Sequence, residues 1–229
     1  MTDSHIAIIS DFSKTLTSGA NPTTWSVFAK SGLLGSDYTR ERNDFFDQYH
    51  DYELAWNVNK TKEWWSKHLE LFVKYGLTHA LIDQIVQDPT YFQARTGLQA
   101  FFDRIRTENI DLFIVSSGVG NFIESFLIQN NISLDGIRIH GNRLFFDENG
   151  TAIWYDVDSI ITPLNKYDHH FDLSNYDQII LLGDDTTDLQ MYKGACLKIG
   201  FCDENVNWYD VYLGKDGDLR DVAEYFYKK

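Results

Sequence analysis

Three short polar segments carry residue types able to do chemistry, and each follows an apolar run: Asp11-Phe-Ser-Lys-Thr-Leu-Thr17, Ser116-Ser-Gly118 and Gly183-Asp-Asp-Thr-Thr-Asp188, with Lys166 ahead of the last. A carboxylate placed directly after a buried strand costs desolvation energy unless a cation compensates it, so Asp11 asks for a metal ion; the bland alternative is a helix cap. Asp184 and Asp188 stand four positions apart, which lets a turn entering a helix direct both toward one point. With Asp11 they make an oxygen-rich set suited to magnesium. Ser116, Ser117 and Gly118 offer hydroxyl and backbone N–H groups to an anion, and Lys166 offers an ammonium group to phosphate and to the clustered acids. Taken singly, these segments read as solvated loops and a solvent-facing lysine. Together they point to a phosphorylated ligand.

Convergence requires elements that bring distant residues to one edge. Ile6-Ala-Ile-Ile9, Leu112-Phe-Ile-Val115 and Ile179-Ile-Leu-Leu182 read as strands buried on both faces of a parallel sheet. Helix-like stretches follow two of them, Phe122 to Gln129 and Asp188 to Tyr192, which predicts successive βα units delivering side chains to one sheet edge. Leu197-Lys-Ile199 adds a short strand, and Leu219 to Tyr227 a closing helix. About a hundred residues separate the first two strands, far more than a crossover needs. Pro22 to Lys30, with Pro22 in a first turn, Arg40 to Tyr52, Lys60 to Tyr75 and Leu81 to Gln87 all have helical spacing or composition. The predicted fold class is α/β, a three-layer Rossmann-like core with a mostly parallel sheet and an inserted helical cap. Residues 1–18 and 91–229 form the core, and 19–90 the cap. Arg138 to Phe146 and Ile153 to Val157 flank Asp147-Glu-Asn-Gly150, a hairpin-turn signal.

The chain has 229 residues, 43% of them hydrophobic, enough for a full core, and a formal net charge of −14. That charge repels a nucleic-acid polymer while leaving a small phosphorylated substrate open, because a local cation outweighs distant surface charge. Cys196 and Cys202 complete neither a disulfide framework nor a zinc-ligand spacing and read as reduced, structural thiols. His169-His170 lack a third ligand and read as loop residues. Gly118-Val-Gly120 lacks the third glycine of a dinucleotide loop. The apolar runs are strand-sized and the amino terminus has no basic or long apolar stretch, so no membrane partner and a cytoplasmic location are expected. Oligomeric state is not legible.

At this point the chain resembles the haloacid dehalogenase superfamily of phosphohydrolases, and within it the cytosolic pyrimidine 5′-nucleotidase family. The likeness runs through Ile9-Ser-Asp-Phe12, Phe113-Ile-Val-Ser116 with Gly118 and Gly120, Asn165-Lys-Tyr-Asp168, Leu181-Leu-Gly-Asp184 with Asp188-Leu189, and Leu197-Lys-Ile-Gly-Phe201. It implies that Asp11 is a nucleophile forming an aspartyl-phosphate and that Mg2+ is held by Asp11, the Ser13 carbonyl and Asp184. It further implies that Ser116 and Lys166 bind phosphate, and that Asp188 supports the metal or Lys166. The implied reaction is hydrolysis of a small phosphomonoester, a nucleoside 5′-monophosphate being the example.

Ser13 departs from that family, which places there a second Asp that protonates the leaving oxygen and then activates water. Serine cannot do this readily at neutral pH. A slow phosphatase, a substrate with a better leaving group, and a phosphate or nucleotide sensor without rapid turnover all follow as readings. In the predicted cap, Tyr49-His-Asp-Tyr-Glu53 is similar to the nucleotidase segment whose Glu contacts the base, which makes Glu53 a specificity candidate. Trp64, Trp65 and His68 align with its aromatic stretch. An indole there stacks on a base or packs the core. Lys14 reads as solvent-facing or as a charge at the entrance, and Asp185 as a metal neighbour or a helix cap.

Overall fold

A computed structural model describes residues 5–169, 171–203 and 208–227. Strand β1, Ile6–Ser10, is buried along its whole length. It lies inside a six-stranded sheet of order β3-β2-β1-β6-β7-β8, built from β2 (Asp111–Val119), β3 (Ile137–Asn142), β6 (Gln178–Gly183), β7 (Leu197–Gly200) and β8 (Val211–Tyr212). Every pairing in it is parallel. The period-2 pattern divides the strands between two apolar layers. Ile6, Ile8, Ile114, Ile180 and Leu182 face one side, and Ala7, Ile9, Phe113, Val115 and Leu181 the other.

Four helices lie between β1 and the point near Ala94 where the chain returns beside Thr17: α1 (Thr24–Ser31), α2 (Gly35–Leu54), α3 (Val58–Lys74) and α4 (His79–Gln87). Side chains of Thr23, Asn57 and Thr78 cap α1, α3 and α4 by accepting first-turn N–H groups. Pro22 precedes the Thr23 cap and so lies one step outside the predicted first turn. The outgoing and returning chains run side by side, with an antiparallel bridge between Thr17 and Ala94 and a 3.0 Å bond from Ser18 N–H to the Gln93 carbonyl. Phe28 of α1 meets Phe122 of α6 (Gly120–Gln129) at 6.1 Å, so the inserted helices share the apolar layer on their side of the sheet.

Some elements differ from expectation. The stretch beginning at Arg138 is split. Its first half is β3, the sheet's edge strand, with Ile137 and Ile139 packed on the core. Only β4 (Leu144–Phe146) pairs with β5 (Ala152–Tyr155) across the Asp147–Gly150 turn, where Gly150 takes φ 75°. Helix α5, Leu98–Thr107, was not singled out, although Leu98, Phe101, Phe102 and Ile105 bury one face. Thr186–Met191 and Leu219–Tyr225 are 3-10 helices rather than α-helices. His169 closes a 3-10 segment that starts at Pro163, not a plain loop, and His170 lies outside the described residues. Cys196 and Cys202 are free thiols. Among the described residues no helix is long and apolar enough to cross a membrane.

Candidate active site

The parallel strands deliver Asp11 and Asp184 as the residues directly after β1 and β6, which pair along their length. The Asp11 N–H bonds the Leu182 carbonyl at 2.9 Å, so the ladder fixes the loop's first residue. Oxygen atoms of Asp11, Asp184 and Asp188 lie within 4.8 Å of one another. Asp11 and Asp188 are 4% and 1% exposed, which demands compensation. Lys166 supplies it. Its Nζ, in a buried side chain of the 3-10 segment Pro163–His169, which is kinked at Asn165, donates at 2.6 Å to Asp11 Oδ1 and at 2.6 Å to Asp188 Oδ1. Burial alone would lower its pKa, but the two carboxylates outweigh burial and hold Lys166 protonated above its ordinary value.

The three acids are not equivalent. Asp188 Oδ2 accepts the N–H groups of Asp184 at 2.8 Å and Asp185 at 3.0 Å, completing a capping box with Asp185. Asp188 is therefore engaged on both oxygens. The Asp184 carboxylate has no hydrogen-bond or ion-pair partner among the described residues. Burial pushes both Asp11 and Asp184 up, and the neighbouring carboxylates add to this against the pull of Lys166. Two uncompensated oxygens beside a buried acid cluster fit a hard divalent cation, because only added positive charge restores the ionised forms.

The anion-facing loop is the end of β2, where the register with β3 slips between Val115 and Val119. Gly118 N–H donates to Ser116 Oγ at 3.1 Å, and a Cβ on Gly118 would stand 2.5 Å from Thr24 Oγ1, so only glycine fits against α1. The Ser117 carbonyl accepts Trp25 Nε1 at 3.0 Å, Trp65 Nε1 at 2.9 Å and Asn142 Nδ2 at 2.7 Å. Three donors on one carbonyl tie this loop to α1, α3 and β3. Arg95 holds the Asp11 loop from beneath. It is 3% exposed and donates from Nε to the Thr15 carbonyl at 2.6 Å, from Nη2 to the Lys14 carbonyl, and from Nη1 to Lys215 and Gly217 carbonyls at 2.8 and 3.0 Å.

Every candidate residue from the sequence borders one cavity of about 360 Å³: the three acids, Ser13, Lys166, the 116–118 loop, and Glu53, Trp64 and Trp65. Lys14 borders it as well, with φ 60°, and its charge partly offsets the rise at Asp184. Asp185 is both an N-cap and a cavity residue. The cavity further takes in Trp25, Arg42, Phe46 and His50, which were not singled out. Trp64 and Trp65 are 5% and 8% exposed and meet edge to face at 4.8 Å, so they pack the core and wall the cavity at once. The Trp65 N–H is spent on Ser117, whereas the Trp64 N–H has no partner among the described residues. Burial, then the charge of Asp185, pushes the Glu53 carboxyl up to about 7, against the pull of Lys166, and its Oε2 is buried without a partner among the described residues. Burial, then the charge of Arg42, pushes His68 down to about 3, leaving it neutral.

Solved structures define the class. The crystal structure of cytosolic 5′-nucleotidase IIIB bound to cytidine aligns with a TM-score of 0.81 and 25% identity, covering 97% of this chain and 84% of that one. A substrate-bound phosphoserine phosphatase aligns with a TM-score of 0.62 and 16% identity over 96% and 98% of the two chains, which shows a shared fold. The protein has the haloacid dehalogenase fold and is a phosphatase-like hydrolase. It belongs to the pyrimidine 5′-nucleotidase (UMPH-1) family, whose model matches residues 9–222. The 7-methylguanosine phosphate-specific 5′-nucleotidase of Mus musculus is 30% identical over 93% of this chain and 81% of its own length. Nucleotidase B of the same specificity from Xenopus laevis is 27% identical over 93% and 84%.

Proposed function

We propose that this protein is a magnesium-dependent phosphohydrolase acting on a nucleoside 5′-monophosphate through an aspartyl-phosphate on Asp11, with residues 19–90 serving as the cap over a core of residues 1–18 and 91–229. The observation that carries the reading is the pairing of Lys166 with Asp11 and Asp188 at 2.6 Å each beside the unpartnered Asp184 carboxylate. Asp11, Asp184 and the Ser13 backbone carbonyl would hold magnesium, which when bound screens the acids from an incoming phosphate and draws charge from its oxygens. Asp188, already engaged on both oxygens, serves as the orienter of Lys166.

In this scheme the Lys166 ammonium and the Ser116 hydroxyl bind phosphate oxygens, with Ser117 and Gly118 shaping the loop. A carboxylate oxygen of Asp11 attacks phosphorus, the bond from phosphorus to the ester oxygen breaks, and the leaving oxygen takes a proton from solvent. Water then attacks the phosphorus of the acyl phosphate, releasing phosphate and a proton and restoring Asp11. Ser13 offers no ionisable group for either proton transfer near neutral pH, so turnover tracks the leaving group and is slow for alkyl esters. The cap contributes Glu53, Trp64 and Trp65 as the specificity wall.

The names of the relatives support a nucleotide as substrate, and the cytosolic 5′-nucleotidases among them support a cytosolic location. The test is phosphate release, with magnesium and with chelator, across nucleoside monophosphates, sugar phosphates and p-nitrophenyl phosphate. Magnesium-dependent release that favours nucleotides upholds the proposal. Binding of nucleotides without release from any ester would replace it with a sensor.

A further inference from the structure

The turn that carries Asp184 is held by a side chain from behind the cavity. Asp184 and Asp185 give their backbone N–H groups to Asp188 Oδ2. The Asp185 carbonyl accepts the Asp188 N–H at 3.2 Å and takes a shorter bond, 2.8 Å, from the Tyr209 hydroxyl. Tyr209 is 5% exposed and does not border the cavity. It comes from the approach to β8 and packs in the apolar layer that holds Ile9 and Leu181, the strand residues that lead toward Asp11 and Asp184.

The sheet leaves room for this ring. Gly183 and Gly200 are register partners on β6 and β7. A Cβ on Gly183 would stand 2.5 Å from the Tyr209 hydroxyl oxygen, and one on Gly200 would stand 2.5 Å from Cδ2 and 2.6 Å from Cγ of the ring. Neither glycine has a positive φ, so backbone conformation does not demand them. The close approach of Tyr209, joined at Gly183 by that of Asp188, is what excludes a side chain. The backbone around Tyr209 is tied down without help from the acid turn. Its N–H donates to the Tyr212 hydroxyl at 3.0 Å, and Asp210 exchanges two 2.9 Å bonds with Lys198 of β7, from its N–H to the Lys198 carbonyl and from the Lys198 N–H to its Oδ2. Burial, then the charges of Asp188 and Asp184, hold the phenol well above its ordinary pKa, so it remains a donor.

We infer that Tyr209 is a positioning residue for the divalent cation: its hydroxyl fixes the turn at Asp184 and Asp185, and with it the direction in which the Asp184 carboxylate meets the metal. The inference rests on the magnesium-dependent reading above. Groups that orient a metal ligand without touching the ion tune its affinity. Because the ring is anchored through its own backbone, the hydroxyl can be removed while the packing stays.

The test compares wild type with Tyr209→Phe in two measurements: the magnesium dissociation constant from calorimetry without substrate, and the magnesium concentration for half-maximal phosphate release from p-nitrophenyl phosphate. Both should rise about tenfold, with kcat at saturating magnesium within about twofold of wild type. If Tyr209→Phe does not fold, Gly200→Ala, which pushes the ring away from β7, takes its place with the same expectation. A lower melting temperature with unchanged magnesium affinity would make the hydroxyl purely structural and overturn the inference. So would a fall in kcat at saturating magnesium with the affinity intact. A wild type that binds magnesium but releases no phosphate would sink the phosphohydrolase reading alone, and the calorimetric comparison would still decide the role of Tyr209. A wild type that binds no magnesium overturns both.

Discussion

Asp188 accepts the backbone N–H of Asp184 at 2.8 Å, so the two acids of the β6 loop are bound to each other by main chain rather than set side by side as like ligands. The second oxygen of Asp188 holds Lys166. Different consequences follow from neutralising each. Asp184→Asn should raise the magnesium concentration for half-maximal activity by at least about tenfold. It should also raise the melting temperature of the metal-free protein near pH 7, because it removes a carboxylate whose ionisation is disfavoured there. Asp188→Asn should leave the magnesium requirement nearly unchanged and lower kcat by about 10²-fold through misplacement of Lys166. Breaking that buried pair should destabilise the fold by about 2 kcal/mol or more. Magnesium titrations and thermal melts of both variants check this.

Ser13 sets the expected pattern of leaving groups. Ser13→Asp introduces a carboxyl at the cavity wall two residues after Asp11. It should raise kcat on a nucleoside monophosphate by about 10²-fold or more, within the range for general acid-base help, and much less on p-nitrophenyl phosphate, whose leaving oxygen needs no proton. Equal gains on both substrates would contradict proton transfer as the limiting defect.

Arg95 joins the Asp11 loop to the Lys215–Gly217 loop through backbone carbonyls alone. Arg95→Ala should reduce kcat by about 10²-fold with little change in KM, since the loop carrying Asp11 loses its support. Guanidinium ion should restore part of the kcat. A loss confined to thermal stability, with steady-state constants intact, would limit Arg95 to a structural role.

Asp11, Ser116 and the acids of the β6 loop were legible as a group because each segment follows an apolar run whose burial the sequence announces, whereas Lys166 follows Pro163-Leu-Asn165 and stood out only as a cation ahead of the acid loop. The same logic found β1, β2, β6 and β7. Arg95 was not legible, since its partners are carbonyls that any residue carries. Trp25 and Arg42 looked like ordinary helix residues, and only the packing of α1 and α2 places them on the cavity wall. The split of the 138–146 stretch was hidden because Ile137 and Ile139 alternate equally well in a hairpin or at a sheet edge. Helix α5 did carry a signal, with apolar residues at 98, 101, 102 and 105.

Glu53 gives the protein a pH signature. Its carboxyl titrates near 7 when folded and near the ordinary carboxylate value when unfolded. Through the window between these values the folded state holds a proton that the unfolded chain has lost, so stability falls as pH rises across it. Glu53→Gln should therefore melt about 2–4 °C above wild type at pH 8, corresponding to about 1 kcal/mol after discounting for partial exposure, and coincide with wild type near pH 4.5. A constant difference at both pH values would contradict the assignment.

The central claim is nucleophilic attack by Asp11, and Asp11→Asn tests it most directly. With magnesium and p-nitrophenyl phosphate, the wild type should release phosphate while Asp11→Asn releases none above background, with an unaltered circular dichroism spectrum. Phosphate release by the folded Asp11→Asn protein at a rate near that of wild type would contradict the account.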